Sequence, residues 1–104
     1  MELASEVTIA DRFHTRLMGL LGTKSLPQGR GLYLDPCNQI HMFGMTYAID
    51  AVFIDRHHEV VGLVEAIAPG SLSPQFPKAV GCLELPAGTI SSTGTQLGDK
   101  LVLA

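Results

Sequence analysis

The sequence C-N-Q-I-H-M-F-G-M-T-Y-A-I-D-A-V-F-I-D, residues 37 to 55, contains most of the residues that can carry chemistry in this chain. In extended backbone, side chains alternate between two faces. One face is therefore predicted to carry Cys37, Gln39, His41, Phe43 and Met45. Ile40 and Met42 fall on the other face. The run from Ala48 to Ile54 is typical of a buried strand, and Asp50 is its one charge.

On either side of this stretch, the chain predicts short strands separated by turns. Further strand patterns occur at residues 6–10, 31–34, 59–67, 79–85 and 101–103. Arg56-His57-His58 is predicted to be a hairpin turn, although it lacks the glycine or asparagine that tight turns favour. Residues 68–78 contain three prolines and are predicted to form the longest loop.

One helix is predicted, early in the chain. Asp11 is a suitable N-cap, and Gly22 is a suitable C-terminal cap. Between them, an amphipathic stripe is formed by Phe13, Leu17, Leu20 and Leu21. The resulting fold class is α+β and mainly antiparallel β. We expect residues 1–104 to form one domain, with a single compact sheet or partly closed barrel of six to seven short strands and one N-terminal helix.

Composition and charge narrow the function classes. The chain has 104 residues, of which 46% are hydrophobic and 16% charged, and no apolar run reaches membrane-spanning length. The first six residues lack the pattern of a signal peptide, so a cytoplasmic protein with reduced cysteines at 37 and 82 is expected. The net charge of −3 argues against nucleic-acid binding.

Two carboxylates, Asp50 and Glu84, each lie within an apolar strand pattern. A buried charge is costly unless it meets a cation or accepts several backbone amides. Arg12 and Arg16, one turn apart on the predicted helix, are the candidate cations. We predict an ion pair between Arg16 and Asp50 that joins the helix to the sheet.

Cys37, His41 and Met45 are residue types that copper(I) or zinc can bind. On a strand, this spacing spreads the three ligands too far apart for one ion. We therefore predict no metal site and no cofactor. Cys37 could instead act as a nucleophile with His41 as its base, oriented by Asp50 or Glu84.

Five motifs occur in order along the chain: R-L-M-G-L-L-G (16–22), G-L-Y-L-x-P-C-x-x-I-H-M-F-G-M (31–45), I-D-A-V-F-I-D (49–55), L-E-L-P-A-G (83–88) and G-D (98–99). Together they resemble the bacterial and archaeal domain-of-unknown-function family numbered 192, over residues 8–103. The resemblance implies a compact, strand-rich domain with no agreed activity. The commonest family pattern has tryptophan-methionine and then asparagine-threonine, where this chain has His41-Met42 and Gly44-Met45, as in a subgroup with a cysteine-histidine version.

These observations favour a binding module whose groove surrounds His41, Met45 and Asp50 and holds a small ligand or a peptide. The full set of predicted ligand-binding residues is His41, Phe43, Met45, Asp50, Arg16 and Glu84. Two alternatives remain open. One is a thiol or hydrolytic enzyme that uses Cys37 and His41, and the other is a structural or assembly protein that uses an exposed sheet edge. No nucleic-acid or membrane partner is expected, and the sequence sets no oligomeric state.

Overall fold

Five strands form one sheet in the computed structural model, which describes residues 6–10 and 30–102, with side chains described from residue 31 onward. The strands are β1 (Glu6–Ala10), β2 (Arg30–Leu34), β3 (Ile49–Ile54), β4 (Val60–Ile67) and β5 (Gly81–Pro86). Their spatial order is β1-β2-β5-β3-β4. The β1–β2 pair is parallel, and the β2–β5, β5–β3 and β3–β4 pairs are antiparallel.

The mainly antiparallel single sheet confirms the predicted fold class, with two corrections. The described residues form five strands rather than six or seven, and the sheet is open, because β1 and β4 lie at opposite ends of the strand order. Leu101 and Val102, predicted to begin a last strand, lie outside any strand. The residues just before them lie beside β4. The Gly98 N–H donates to the Val60 carbonyl at 2.9 Å, and the Val60 N–H donates to the Asp99 backbone carbonyl at 2.8 Å.

A short helix, α1 (Thr89–Thr93), follows β5 and was not predicted. It begins after Gly88 and ends at Gly94, and both glycines have positive φ angles, 95° and 68°. Five residues are too few to show a helical stripe in the sequence. Within the described residues, no helix is long and apolar enough to span a membrane. The helix predicted over residues 11–22 lies outside the described part of the chain.

Both faces of the sheet are covered. On the face that we call the helix side, the buried apolar residues include Val52, Ile54, Leu83, Leu85 and, from α1, Ile90. On the opposite face, which we call the loop side, they include Leu32, Ile49, Ala51, Phe53, Cys82, Ile40, Met42 and Met45. Because successive strand side chains alternate, Asp50 belongs to the helix side and Glu84 to the loop side. The core therefore has two layers that are separated by the sheet.

The hairpin turn between β3 and β4 is where the sequence predicted it. Asp55 closes the turn, because its Oδ1 accepts the N–H groups of His57 at 2.8 Å and Glu59 at 3.0 Å. His58 takes the left-handed conformation, with φ at 63°. Asparagine and glycine adopt this conformation more readily, so the histidine occupies the position where the usual turn signal would stand.

Candidate functional site

Two segments without regular secondary structure, residues 37–45 and 68–80, lie side by side on the loop side of the sheet. Five backbone hydrogen bonds of 2.8–2.9 Å join them; the donor–acceptor pairs are Cys37–Val80, Phe76–Asn38, Ser73–Ile40, Met42–Ser71 and Gly70–Met42. The prediction that residues 68–78 form a long loop is confirmed. These five backbone bonds nevertheless hold the loop in place. We call these segments the paired loops.

Side chains strengthen the connection between the paired loops. Ser73 is buried, and its Oγ accepts the Ile40 N–H at 3.0 Å and donates to the Pro74 carbonyl at 2.9 Å. Gln39 Nε2 donates to the Ser73 carbonyl at 2.9 Å. The aromatic ring of Phe76 lies 4.5 Å from that of Phe53, centroid to centroid, which anchors the second loop on β3. These side-chain contacts therefore hold the paired loops to each other and to the sheet.

Three side chains form a row on this outer surface. His41 and Leu72 face each other as an antiparallel bridge between the paired loops. The rings of His41 and Phe43 are stacked, with centroids 4.7 Å apart and planes inclined by 29°. Phe43 is 55% exposed and Leu72 is 59% exposed. Large apolar side chains held outward on a rigid backbone are typical of a contact surface.

His41 also fixes the backbone of its neighbour. Its Nδ1 accepts the Phe43 N–H at 3.3 Å. An acceptor nitrogen carries no proton, so the neutral ring has its proton on Nε2. Stack and hydrogen bond together hold the Phe43 ring against the imidazole.

Met45 lies elsewhere, and its predicted position on the His41 face was wrong. Alternation holds from Ile40 to Met42, with Ile40 and Met42 buried in the loop-side core and His41 between them half-buried. It fails at Gly44, whose φ of 82° turns the chain. As a result Met45 is buried with Ile40 and Met42. A period-two pattern does not survive a left-handed turn.

The sequence around this row carries no acidic residue, lysine or arginine. None of these occurs at residues 36–49 or 66–77, in a chain that is 16% charged. Lys78, near the end of the second loop, is the first such residue after Glu65. Depletion of charged residues and enrichment of aromatic ones distinguish the centre of a protein interface from ordinary surface. The row therefore has the composition of an interface centre.

Asp50 is fully buried on the helix side and has a structural role. Its Oδ2 accepts the N–H of Ile90 in the first turn of α1, at 2.8 Å, and its Oδ1 accepts the N–H of Ala66 in β4, also at 2.8 Å. Ala66 lies where the β3–β4 register shifts and has a φ of 48°. Of the two ways in which a buried carboxylate is tolerated, backbone amide donors are present here.

The predicted site residues are therefore not all in one place. His41 and Phe43 lie on the outer surface of the paired loops, and Met45 lies beneath it. Glu84 is fully buried between Leu32 and Ala51 on the loop side of the sheet. Asp50 lies on the helix side. Arg16, the predicted partner of Asp50, is outside the described residues.

The two cysteines are not joined by a disulfide, as predicted. Cys82 is buried in the loop-side core, and Cys37 is half-buried against it. The Cys37 thiol donates to the Gln39 carbonyl at 3.3 Å, whereas His41 Nδ1 accepts from Phe43. Neither of these two hydrogen bonds joins the thiol to the imidazole. Groups of three or more metal-binding side chains are absent from the described residues.

Tyr33 is buried on the helix side of the sheet. Its hydroxyl donates to Asp35 Oδ2 at 3.1 Å. Burial raises the pKa of the Tyr33 hydroxyl well above its usual range, and the hydrogen bond to Asp35 raises it further. The ring lies directly over Gly81, where an added Cβ would meet the hydroxyl oxygen. This tyrosine is a buried packing residue rather than an acid–base group.

Leu72 was missed as a surface residue. The sequence marked residues 68–78 only as a loop, because three prolines exclude regular structure there. The signal that could have identified it is the absence of acidic residues, lysine and arginine in two separate segments, 36–49 and 66–77. Two segments of this length and composition, one of them centred on an apolar residue between serines, are consistent with a shared buried or contact surface.

Comparison with known proteins gives relatives in archaea. A UPF0127 protein of Thermococcus sibiricus is 32% identical over 99 residues, which is 91% of this chain and 64% of that protein. This chain thus spans less than two thirds of the Thermococcus protein. A UPF0127 protein of Pyrococcus furiosus is 30% identical over 105 residues, covering 96% of this chain and 88% of that protein.

Two crystal structures share the fold. A protein of unknown function from Novosphingobium aromaticivorans superposes with a TM-score of 0.79 at 19% identity, over 90% of this chain and 71% of that one. A protein from Sinorhizobium meliloti, named as a candidate transcription regulator, superposes with a TM-score of 0.78 at 24% identity, over 90% and 78%. At these identities the likeness shows the fold alone.

The family profile matches nearly the whole chain. Residues 1–103 match DUF192, whose description is "Uncharacterized ACR". This agrees with the two UPF0127 relatives and with the order of motifs in the sequence. The chain belongs to the DUF192 family.

Proposed function

We propose that this protein is a binding module whose contact surface is the outer side of the paired loops. The observation that carries the proposal is the row Phe43–His41–Leu72, with two large side chains more than half exposed, inside two sequence segments without acidic residues, lysine or arginine. An uncharged ligand that is partly apolar complements such a surface. The sequence-based groove around His41, Met45 and Asp50 is replaced here by a surface that keeps His41 and Phe43 and adds Leu72.

Preorganisation supports this function. Binding costs free energy when loops and side chains must be ordered at the interface. The five backbone bonds between the paired loops and the stacking of Phe43 on His41 already fix this surface. A rigid apolar surface of this kind can contact a ligand without that cost.

The two alternatives receive less support. Asp50 accepts amides of β4 and α1, so it is committed to the fold rather than to orienting a catalytic His41. The outer edge of β4, which an assembly protein would use, is interrupted by the register shift near Ala66 and carries the exposed charge of Glu65. Both features are known to protect sheet edges from pairing.

The compartment is part of the proposal. We propose a cytoplasmic location, with Cys37 and Cys82 as reduced thiols. Reduced cysteines are the norm in the cytoplasm.

A fragment screen by two-dimensional amide NMR tests the binding function. Probes are two matched sets of small aromatic and aliphatic compounds, one uncharged and one carrying a carboxylate or an amine. We expect the uncharged set to shift the amides of Phe43, Gly44 and Leu72, and Phe43→Ala to weaken the best fragments by about tenfold. Leu97→Ala is the matched control, because Leu97 is 66% exposed but lies outside the paired loops. Shifts confined to other parts of the protein, or equal losses in both variants, would overturn the proposal.

A further inference from the structure

We propose that the ligand of the paired loops is a polypeptide segment in extended conformation, which adds a strand beside Leu72. The inference rests on the proposed function and names its ligand class.

The hydrogen-bond pattern shows which way the Leu72 backbone points. Ser73 donates to the Ile40 carbonyl, and Met42 donates to the Ser71 carbonyl, so these bonds flank the His41–Leu72 pair on both sides. In an antiparallel ladder, a pair flanked in this way directs its own N–H and C=O groups away from the partner strand. The Leu72 backbone therefore faces the outer edge of the paired loops.

Leu72 leaves these groups available. In the described part of the chain, neither its N–H nor its C=O has a hydrogen-bond partner, and the side chain is 59% exposed. One outward donor and one outward acceptor on the same residue match the two groups of a residue in an extended peptide. The next outward position is Pro74, which has no N–H. The pairing is therefore expected to centre on Leu72.

The side chains specify what the segment carries. Leu72, His41 and Phe43 lie on one side of the loop ribbon. The peptide residue opposite Leu72 would place its side chain on this same side, against leucine, so a β-branched or aromatic residue fits best there. Because residues 36–49 and 66–77 contain no acidic residue, lysine or arginine, these two segments offer a charged side chain of the peptide no oppositely charged partner to replace the water that it would lose. The partner is thus an uncharged extended segment with an apolar residue at its centre.

The probe is a random dodecapeptide library displayed on phage and selected on the full chain, with counter-selection on the Phe43→Ala variant. Selected sequences are then synthesised and titrated. We expect them to be uncharged with a central apolar residue, and to slow the exchange of the Leu72 amide proton when bound. Leu97→Ala is again the control variant.

An amide-to-ester replacement at Leu72 tests the backbone pairing itself. The cysteines at 37 and 82 allow the chain to be assembled by ligation of residues 1–36, 37–81 and 82–104, with the ester built into the middle segment. The Leu72 N–H has no partner within the described residues, but the ester also makes the Ser71 carbonyl, which accepts from Met42, a weaker acceptor, so we expect a modest fall in the unfolding temperature with the chain still folded. Affinity for the selected peptides should fall by about tenfold.

The outcomes separate the two proposals. Peptides that contact the paired loops but bind the ester variant as tightly as the parent would overturn strand pairing and leave the binding function standing. Strand pairing is also overturned, and the binding function kept, if no peptide is selected while uncharged fragments still shift the Leu72 amide. If neither peptides nor fragments bind the paired loops, both proposals are wrong.

Discussion

Asp50 Oδ2 accepts the backbone N–H of Ile90 at 2.8 Å, although the two residues are forty positions apart. Gly88, the residue at the N-cap position of α1, has no side chain that can cap the helix. The carboxylate of β3 supplies that cap from a neighbouring strand, and its other oxygen holds the Ala66 N–H of β4. One buried side chain thus joins three elements on the helix side of the sheet.

Asp50→Asn should lower the free energy of unfolding by about 1–3 kcal/mol. The asparagine oxygen can accept one of the two backbone N–H groups, but its NH₂ group, which is only a donor, then faces the other N–H. Urea unfolding measures the change. Glu65→Gln, an equivalent charge removal at an exposed position of β4, should stay within about 0.5 kcal/mol of the parent. Equal effects of the two substitutions would mean that the hydrogen bonds of Asp50 contribute nothing.

The ion pair between Arg16 and Asp50 stays a prediction. If the guanidinium reaches the carboxylate, Arg16→Met and Asp50→Asn should show a coupling energy above about 0.5 kcal/mol in a double-mutant cycle of unfolding free energies. Arg12→Met combined with Asp50→Asn is the matched control, since Arg12 lies one predicted helical turn away. Additive effects of Arg16→Met and Asp50→Asn would contradict the pairing.

His58→Gly should raise the free energy of unfolding, by up to about 1 kcal/mol. The φ of 63° at His58 is a left-handed conformation, which is strained for a residue with a side chain. We expect the relief of this strain to exceed the additional conformational entropy that glycine loses on folding. His57→Gly, one position earlier in the same turn, should instead lower it, because His57 is not among the residues with positive φ. Chemical denaturation of both variants decides the matter, and the prediction fails if both glycines destabilise equally.

Asp55 makes stability depend on pH in the acid range. The N–H groups of Glu59 and His57 that bond to the Asp55 carboxylate lower its pKa below the ordinary value of 3.8. A pKa lower in the folded than in the unfolded state gives stability that is present above the unfolded value and lost as pH falls through the folded one. The stability difference between the parent and Asp55→Asn should therefore shrink as pH drops below about 4. A difference that stays constant from pH 7 to pH 2 would rule out this role for the Asp55 charge.

Most of the sheet could be predicted from the sequence. Runs such as Ile49–Ile54 and Val60–Ile67 are bounded by turn residues, and their period and composition identify strands without any tertiary information. The burial of Asp50 followed from its apolar neighbours in the same way. The hairpin was found although His58 occupies a position that glycine or asparagine would favour.

The surface of the paired loops could be predicted only in part. Alternation identified His41 and Phe43 but misplaced Met45, because the chain turns at Gly44 and no longer continues as extended backbone. Leu72 could not be placed, since its position depends on bonds to residues some thirty positions earlier. The cap on α1 depends on Asp50 at a similar distance. Contacts of this range carry no local period, so the sequence pattern does not contain them.

The bonds between the paired loops have a consequence for how the molecule opens. Met42 donates its N–H to Ser71 and accepts the N–H of Gly70 at its carbonyl. Ser73 donates its N–H to the Ile40 carbonyl, and its hydroxyl accepts the Ile40 N–H. Neither segment can leave the sheet without breaking the bonds of the other. Hydrogen exchange at Met42, Gly70 and Ser73 should therefore report a single cooperative fluctuation rather than three independent ones. If the paired loops open only as a unit, partly opened states have a low population, and a ligand meets the surface in a single conformation.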